Sequence, residues 1–441
     1  MSDAVSYRDA LGRALREALA EDERVVVLGQ DVGARGGAYG VTAGLLEAFG
    51  PTRVRDAPSA DAALVGIGVG AALAGLRPVV ELTTAAFLPL AFDQVVHQVA
   101  AGGAPVVLRV PQSAGARLGP IHSANVEGLL HAIPGLRVLA PSTPGDAYGM
   151  LRWAIGAEEP VVVLEHIKVY DMVGELGPVA PVERAVVRRA GTDVTLIAAS
   201  RMAVLAERAA ETLATRHGFE ATVVDLRSLR PLDVETVRTA ARGANGRAVI
   251  VEEGWPRGGV GATLAAELGG RVVRLSGADA FVPYARTLEA AALPDEAAIV
   301  RAALPLARVR DRRAIGAPHH SMAIEIDMEA LVARRRAGDR TIGELVATLC
   351  ADLLTPFGET AILTTDGPVV LIGDNRRTSA RQPAATLAFG VLTTRPTVAA
   401  GAVTIHHTVA LTLTLASGLA TTEDATTLLA AVRERLETAA E

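Results

Sequence analysis

A single cysteine, Cys350, in 441 residues leaves no intramolecular disulfide to form and fits a reducing compartment. Aromatic residues make up only 3% of the chain and no basic run is interleaved with them, so the groups that stack on bases and neutralise phosphates are missing. The formal net charge of −6 argues in the same direction. No uninterrupted apolar run reaches the ~18 residues of a membrane span, and Met1-Ser2-Asp3-Ala4 does not open a basic segment followed by an apolar core. The expectation is a soluble, cytoplasmic protein without nucleic-acid or membrane partners. His319-His320 and His406-His407 are adjacent pairs with no third histidine or cysteine at ligand spacing, and neighbouring side chains point apart in a strand; no metal site is expected.

What is present is apolar sequence in a regular rhythm. Half of the residues are hydrophobic, enough for substantial cores, and the length corresponds to two to four domains at ~100–200 residues each. Ala10, Leu11, Ala14, Leu15 and Leu19 share one helical face, and the apolar strand Val25 to Leu28 follows. Val79 to Leu82, Val106 to Val110, Arg137 to Ala140 and Val161 to Leu164 repeat the short apolar run with helical stretches between, as a parallel sheet covered on both faces requires. A second series starts at Val194 to Ala199, continues through Thr222 to Asp225 and Ala248 to Val251, and ends at Arg271 to Leu275. These rhythms predict three-layer α/β domains over residues 1–185 and 186–307, an arginine-rich linker over 308–320, and a further domain over 321–441. Gly258-Gly259-Val260-Gly261 reads as a helix-start turn rather than a phosphate loop, because no complete nucleotide fingerprint surrounds it.

Arg55-Asp56-Ala57-Pro58-Ser59-Ala60-Asp61-Ala62-Ala63-Leu64-Val65-Gly66, followed by a glycine-rich helix, resembles the thiamine-diphosphate-binding segment of the beta subunit of 2-oxoacid dehydrogenase decarboxylase components. Gly29-Gln30-Asp31-Val32-Gly33, Gly75-Leu76-Arg77-Pro78, Phe92-Asp93-Gln94, His122-Ser123, Pro134-Gly135-Leu136-Arg137-Val138, Pro231-Leu232-Asp233 and Pro283-Tyr284 extend the resemblance in order along roughly the first 310 residues. It implies two transketolase-like α/β domains, the first binding the cofactor's pyrimidine and the second used mainly for assembly. By resemblance Asp61 is the acid that activates the aminopyrimidine, where the family has glutamate. Aspartate is one methylene shorter, which sets the carboxyl back by roughly 1.5 Å. Phe87 matches the aromatic residue that packs on the pyrimidine ring, and His122 the histidine that faces substrate and the incoming lipoyl arm. Gln30 stands where the family carries a glutamate of an acidic passage between paired cofactors, and an amide cannot relay a proton at neutral pH. Ala85, Ala86 and Leu90 suggest a roomier, more apolar substrate pocket, while His97 and His131 read as packing or surface residues.

The family's Gly-Asp-Gly diphosphate and magnesium motif does not occur in this chain. The resemblance therefore implies an alpha-type subunit in an α2β2-like assembly, holding Mg²⁺ and the diphosphate of a shared thiamine diphosphate. The tail carries its own resemblance: Ile324 to Arg334, Pro383 to Leu392, Pro396 to Val403, Leu411 to Leu415 and Ala425 to Leu436 look like parts of a dihydrolipoyl acyltransferase catalytic domain lacking its middle. Ala416-Ser417-Gly418 falls where that family has its catalytic Asp-His-Arg, which implies a degenerate, catalytically silent α+β domain. The expected activity is decarboxylation of a 2-oxo acid with transfer of the acyl group to a lipoyl-bearing or other carrier. A thiamine-diphosphate carboligase and a silent scaffold subunit are the alternatives.

Overall fold

The computed structural model describes residues 4–177, 180–307, 319–327, 359–363, 370–374, 385–389, 393–399, 402–416 and 422–437. The chain divides into two compact units, Met1–Arg310 and Asp311–Glu441.

In the first unit a seven-stranded sheet runs in the order Ser228–Arg230, Arg137–Leu139, Val161–His166, Val107–Gln112, Arg77–Glu81, Val25–Gly29, Val54–Asp56. All neighbours are parallel except Ser228–Arg230, which pairs antiparallel with Arg137–Leu139. Side chains alternate between its two faces as the pleat demands. Val25, Val27, Val79, Val107, Val161 and Val163 pack with helices Tyr7–Glu21 and Pro144–Gly156, while Leu28, Val80, Leu108, Val110, Val162 and Leu164 pack with helix Asp61–Leu73. Helix Tyr7–Glu21 buries the face its spacing predicts, and Ser6 Oγ caps it by accepting the Asp9 N–H at 3.0 Å.

A five-stranded sheet follows in the order Arg271–Leu275, Arg247–Val251, Val194–Ala198, Ala221–Asp225, Val186–Arg189. Its first four strands are parallel and the last is antiparallel. The sequence rhythm misses Val54–Asp56, Ser228–Arg230 and Val186–Arg189. The first two have three residues each, too few to show a period, and the third is half-exposed. Ser228–Arg230 also shows that the sheets are not separated cleanly in sequence, since a residue run beyond 186 completes the first sheet. Next to it, the fully buried Arg227 donates to Asp146 Oδ1 at 2.8 Å and to the carbonyls of Ala180, Pro181 and Arg184, tying the connection between the sheets to both.

The second unit holds an antiparallel sheet in the order His319–Asp327, Ala402–Ala416, Ala385–Phe389, Val370–Asp374, Glu359–Leu363, with Thr393–Ala399 also pairing with Ala402–Ala416. Helix Thr422–Glu437 packs on His319–Asp327 and Ala402–Ala416 and buries Leu429, Val432 and Leu436, a three-four spacing on one face. Residues 308–318 of the expected linker lie outside the described residues, as do Ser417, Gly418 and Cys350. His319 and His320 pair with Ala416 and Leu415, and His406 and His407 with Arg395 and Thr394, so the register does not set the two histidine pairs opposite each other.

Candidate active site

In a parallel sheet the carboxyl ends of the strands face the same way, and the residues just beyond them share one rim. Gln30 follows Val25–Gly29, Asp61 lies five residues past Val54–Asp56, Thr83 and Thr84 follow Arg77–Glu81, and Ser113 follows Val107–Gln112. The sequence thus places its candidate residues on one edge.

Asp61 is the first residue of helix Asp61–Leu73 and is only 8% exposed. The helix sits close against strand Arg77–Glu81, where a Cβ on Gly68 would lie 2.6 Å from Val80 Cγ2. Burial raises the Asp61 carboxyl above its ordinary value, partly offset by a bond from its own backbone amide. No other side chain among the described residues pairs with it. The same helix packs on the 3₁₀ turn Ala85–Ala91, which carries Phe87. Phe87 donates its backbone N–H to Thr84 O at 3.0 Å, and its ring lies 5.3 Å from the His122 ring, centroid to centroid. Three residues complete a 3₁₀ turn, so Phe87 and Leu90 fall on one side, and Leu90 is 68% exposed. Of the three positions read as widening the pocket, Ala85 is buried and Ala86 half-buried, while Leu90 is exposed on this chain.

His122 stands on a tight turn in which its N–H and that of Ser123 both reach Gly119 O, at 3.2 and 3.0 Å. Gly119 has φ +71, and a Cβ there would lie 2.4 Å from the Tyr284 ring, so conformation and space both require glycine. Thr84 Oγ1 donates to His122 O at 3.2 Å and Ser113 Oγ donates to the same carbonyl. Gln30 Oε1 accepts from Thr83 Oγ1 at 3.2 Å, and its loop is held by Asp56, whose carboxylate accepts the N–H groups of Gly33 and Ala34 at 2.7 and 3.0 Å. His97 is exposed, with Nε2 4.0 Å from Asp93, and His131 bridges Leu229 O and Thr263 Oγ1 at 2.8 and 3.1 Å.

The residue reading passed over a buried ionic cluster beneath this rim. Arg109 donates through Nε and Nη2 to the two carboxylate oxygens of Glu165, each at 2.7 Å, and through Nη1 to Glu81. Tyr170 donates to Glu165 and stacks on Tyr7 at 5.7 Å. Burial works against the Arg109 charge, but Glu165 and Glu81 keep it firmly protonated; burial likewise pushes Glu81 up, partly countered by Arg109. The available signal was a charge directly after two apolar residues in each strand, in Val79-Val80-Glu81, Val107-Leu108-Arg109 and Val163-Leu164-Glu165. The Gly258 to Gly261 turn is resolved by Glu252, whose carboxylate accepts the Gly261 N–H at 3.0 Å and fills the position a phosphate would take at that helix start. Among the described residues no group of three or more His, Cys, Asp or Glu is arranged to hold a metal ion.

Residues 3–171 match the family described as transketolase, pyrimidine binding domain, and residues 183–299 the transketolase C-terminal domain. The mitochondrial pyruvate dehydrogenase E1 component subunit beta-1 of Arabidopsis thaliana is 41% identical over 324 residues, covering 68% of this chain and 88% of that protein. The chain belongs to the E1 beta-subunit family. The E1 beta subunit of Dictyostelium discoideum is 38% identical over 322 residues, covering 68% of this chain and 90% of its own length. A solved structure described as a split gene transketolase, an inactive beta4 tetramer, shares 25% identity and a TM-score of 0.60 over 69% of this chain and 99% of its own. The two transketolase families leave residues 300–441 of this E1 beta-type chain unmatched.

Thiamine diphosphate is the cofactor of this family, and the residues present fit one end of it. A buried carboxyl with no side-chain partner, at Asp61, and a half-buried aromatic face, at Phe87, suit the aminopyrimidine. Among the described residues no acidic trio suited to the metal of a diphosphate is present.

Proposed function

We propose that this E1 beta-type subunit of a thiamine-diphosphate-dependent 2-oxoacid decarboxylase works through Asp61, Phe87 and His122, with an alpha-type subunit completing the site. When bound, the cofactor supplies the carbanion and the electron sink that decarboxylation needs. Asp61 holds and releases the proton on its carboxyl oxygen, and its raised affinity for that proton suits exchange with a pyrimidine nitrogen. Phe87 offers a flat apolar face. The His122 imidazole, fixed through its backbone by Thr84 and Ser113, orients the substrate and moves a proton during acyl transfer to a lipoyl arm.

The observation that carries this reading is the Phe87–His122 contact on the same strand-end rim as Asp61, which pairs with no other side chain among the described residues. The exposure of Leu90 beside the half-buried Phe87 supports a second chain as the other wall, with Mg²⁺ and the diphosphate on that chain. We extend the reading to an α2β2-like heterotetramer in the cytoplasm. For residues 321–441 we propose a degenerate acyltransferase-like domain, supported by the antiparallel sheet closed by helix Thr422–Glu437.

Calorimetry with thiamine diphosphate and Mg²⁺ tests the division of the site. Binding is expected for the complex co-expressed with its alpha-type partner and not for this chain alone; tight binding by the isolated chain overturns the shared site. Assay of the complex with pyruvate and 2-oxoisovalerate and an artificial electron acceptor tests the activity.

A further inference from the structure

The segment 113–125 leaves strand Val107–Gln112, carries His122, and enters helix Glu127–His131. Its inner side is held by the first domain, through Thr84 and Ser113 on His122 O. Its outer side is held at three places by residues from beyond position 190. Arg201 Nη1 donates to Ala114 O at 3.4 Å, the Tyr284 ring covers Gly119, and both carboxylate oxygens of Glu289 accept the backbone N–H of Arg117, at 2.9 and 3.1 Å.

The Glu289 contact is chemically unusual for a packing residue. Glu289 is 3% exposed, yet it spends a buried carboxylate on one main-chain amide of an exposed residue. Arg117 has φ +62, a left-handed conformation that a non-glycine residue keeps only where its surroundings impose it. A charge-assisted bond to that same residue's N–H supplies the constraint. Two residues later Gly119 also turns left-handed beneath Tyr284, and three residues after that the chain delivers the His122 ring to Phe87.

We infer that the second α/β domain sets the position of His122, with Glu289 as the positioning residue and Tyr284 as its brace. Glu289 touches neither substrate nor cofactor; it acts through the Arg117–Gly119 backbone. The inference rests on the reading of His122 as the acyl-transfer group, and it gives the second domain a part in the reaction in addition to assembly.

The test uses the full-length chain in complex with its alpha-type partner, in the variants Glu289→Gln, Glu289→Ala and Tyr284→Ala, with His122→Gln as reference. Arg117 is exposed, so the tryptic fragment ending there, followed by mass spectrometry, reports release of the loop independently of activity. Glu289→Ala is expected to speed that cut by about tenfold, since local opening follows the lost bond of roughly 1.5 kcal/mol. Glu289→Gln keeps an acceptor oxygen and is expected to fall between parent and alanine. Transfer to free lipoamide is expected to drop by about 10- to 100-fold in Glu289→Ala, the scale of a ~1 Å misplacement, and more than the rate with an artificial electron acceptor. An unchanged cut at Arg117 in all three variants overturns the clamp. A faster cut with an unchanged ratio of the two rates overturns its role in positioning. If His122→Gln leaves lipoamide transfer intact, the reading of His122 fails, and the proteolysis result still decides whether the clamp exists.

Discussion

At the scale of single residues, the chemistry concentrates in carboxyl groups that burial makes reluctant to ionise. Asp61 is the first, and Asp61→Asn keeps its shape without its basicity. Turnover of the partnered complex is expected to fall at least 100-fold, on the order of what a lost proton-transfer group costs, with assembly by light scattering unchanged. Asp61→Glu distinguishes a pocket reshaped around the shorter acid, where the rate falls, from one that still accommodates the longer acid, where it rises. Glu127 is the second. Burial, with the nearby Glu253 and Glu252, pushes it up to about 7 against the hydrogen bonds from Gln112 and Asn125. A carboxyl raised in the folded state binds its proton more tightly there than in the unfolded chain, so its cost is small at acid pH and accrues as pH rises through the folded value. Glu127→Gln removes that cost, and its amide can donate to the unpaired Gln112 Oε1. Its stability relative to the parent is expected to improve between pH 5 and pH 8, by on the order of 2 kcal/mol in urea denaturation. A gap that stays constant or narrows with pH shows that Glu127 is not the titrating group.

At the scale of elements, apolar period and cap chemistry explain most of what forms, and close contacts explain where it forms. The helix Tyr7–Glu21 and the long strands were legible because each presents a full face of apolar residues. The Asp61 helix start was legible by motif, but its burial depends on the approach permitted at Gly68. Helix Val260–Leu268 illustrates the opposite case, since the glycines before it mark a turn without saying what fills its amino end. Glu252 does, bonded also by Arg274 Nη2 at 2.6 Å. Glu252→Ala is expected to lower stability by about 2–4 kcal/mol, because it removes a cap and leaves Arg274 without its buried carboxylate partner. A melting temperature within 1 °C of the parent, on a scale where 1 kcal/mol moves a domain of this size by roughly 2–4 °C, shows that the contact is dispensable.

At the scale of the whole molecule, the E1 beta-type unit ends near Arg310 and a second compact unit continues to Glu441. On the proposed reading of that unit as half of an acyltransferase-like domain, the missing half leaves a need for cover from another surface. Deleting residues 311–441 is therefore expected to change the assembly mass or lower solubility, read by light scattering, while Asp61-dependent decarboxylation with the alpha-type partner persists. Coenzyme A-dependent acetyl transfer by the full chain, lost on Ser417→Ala, runs against the reading of that unit as catalytically degenerate.

What the sequence determined by itself is local or inherited: the α/β rhythm, the motif that brings Asp61 to the start of a glycine-rich helix, and the glycines and prolines that set Phe87 and His122 in their turns. Those signals lie within a few residues of one another, where backbone sterics and apolar period act. Only the tertiary structure decided the rest. Arg109 meets Glu81 and Glu165 across 28 and 56 residues, Glu289 reaches Arg117 across 172, and Ser228–Arg230 closes the sheet that begins at Val25–Gly29. Such pairs share no period and no spacing, because a buried charge is satisfied by whichever strand end or loop the fold brings beside it.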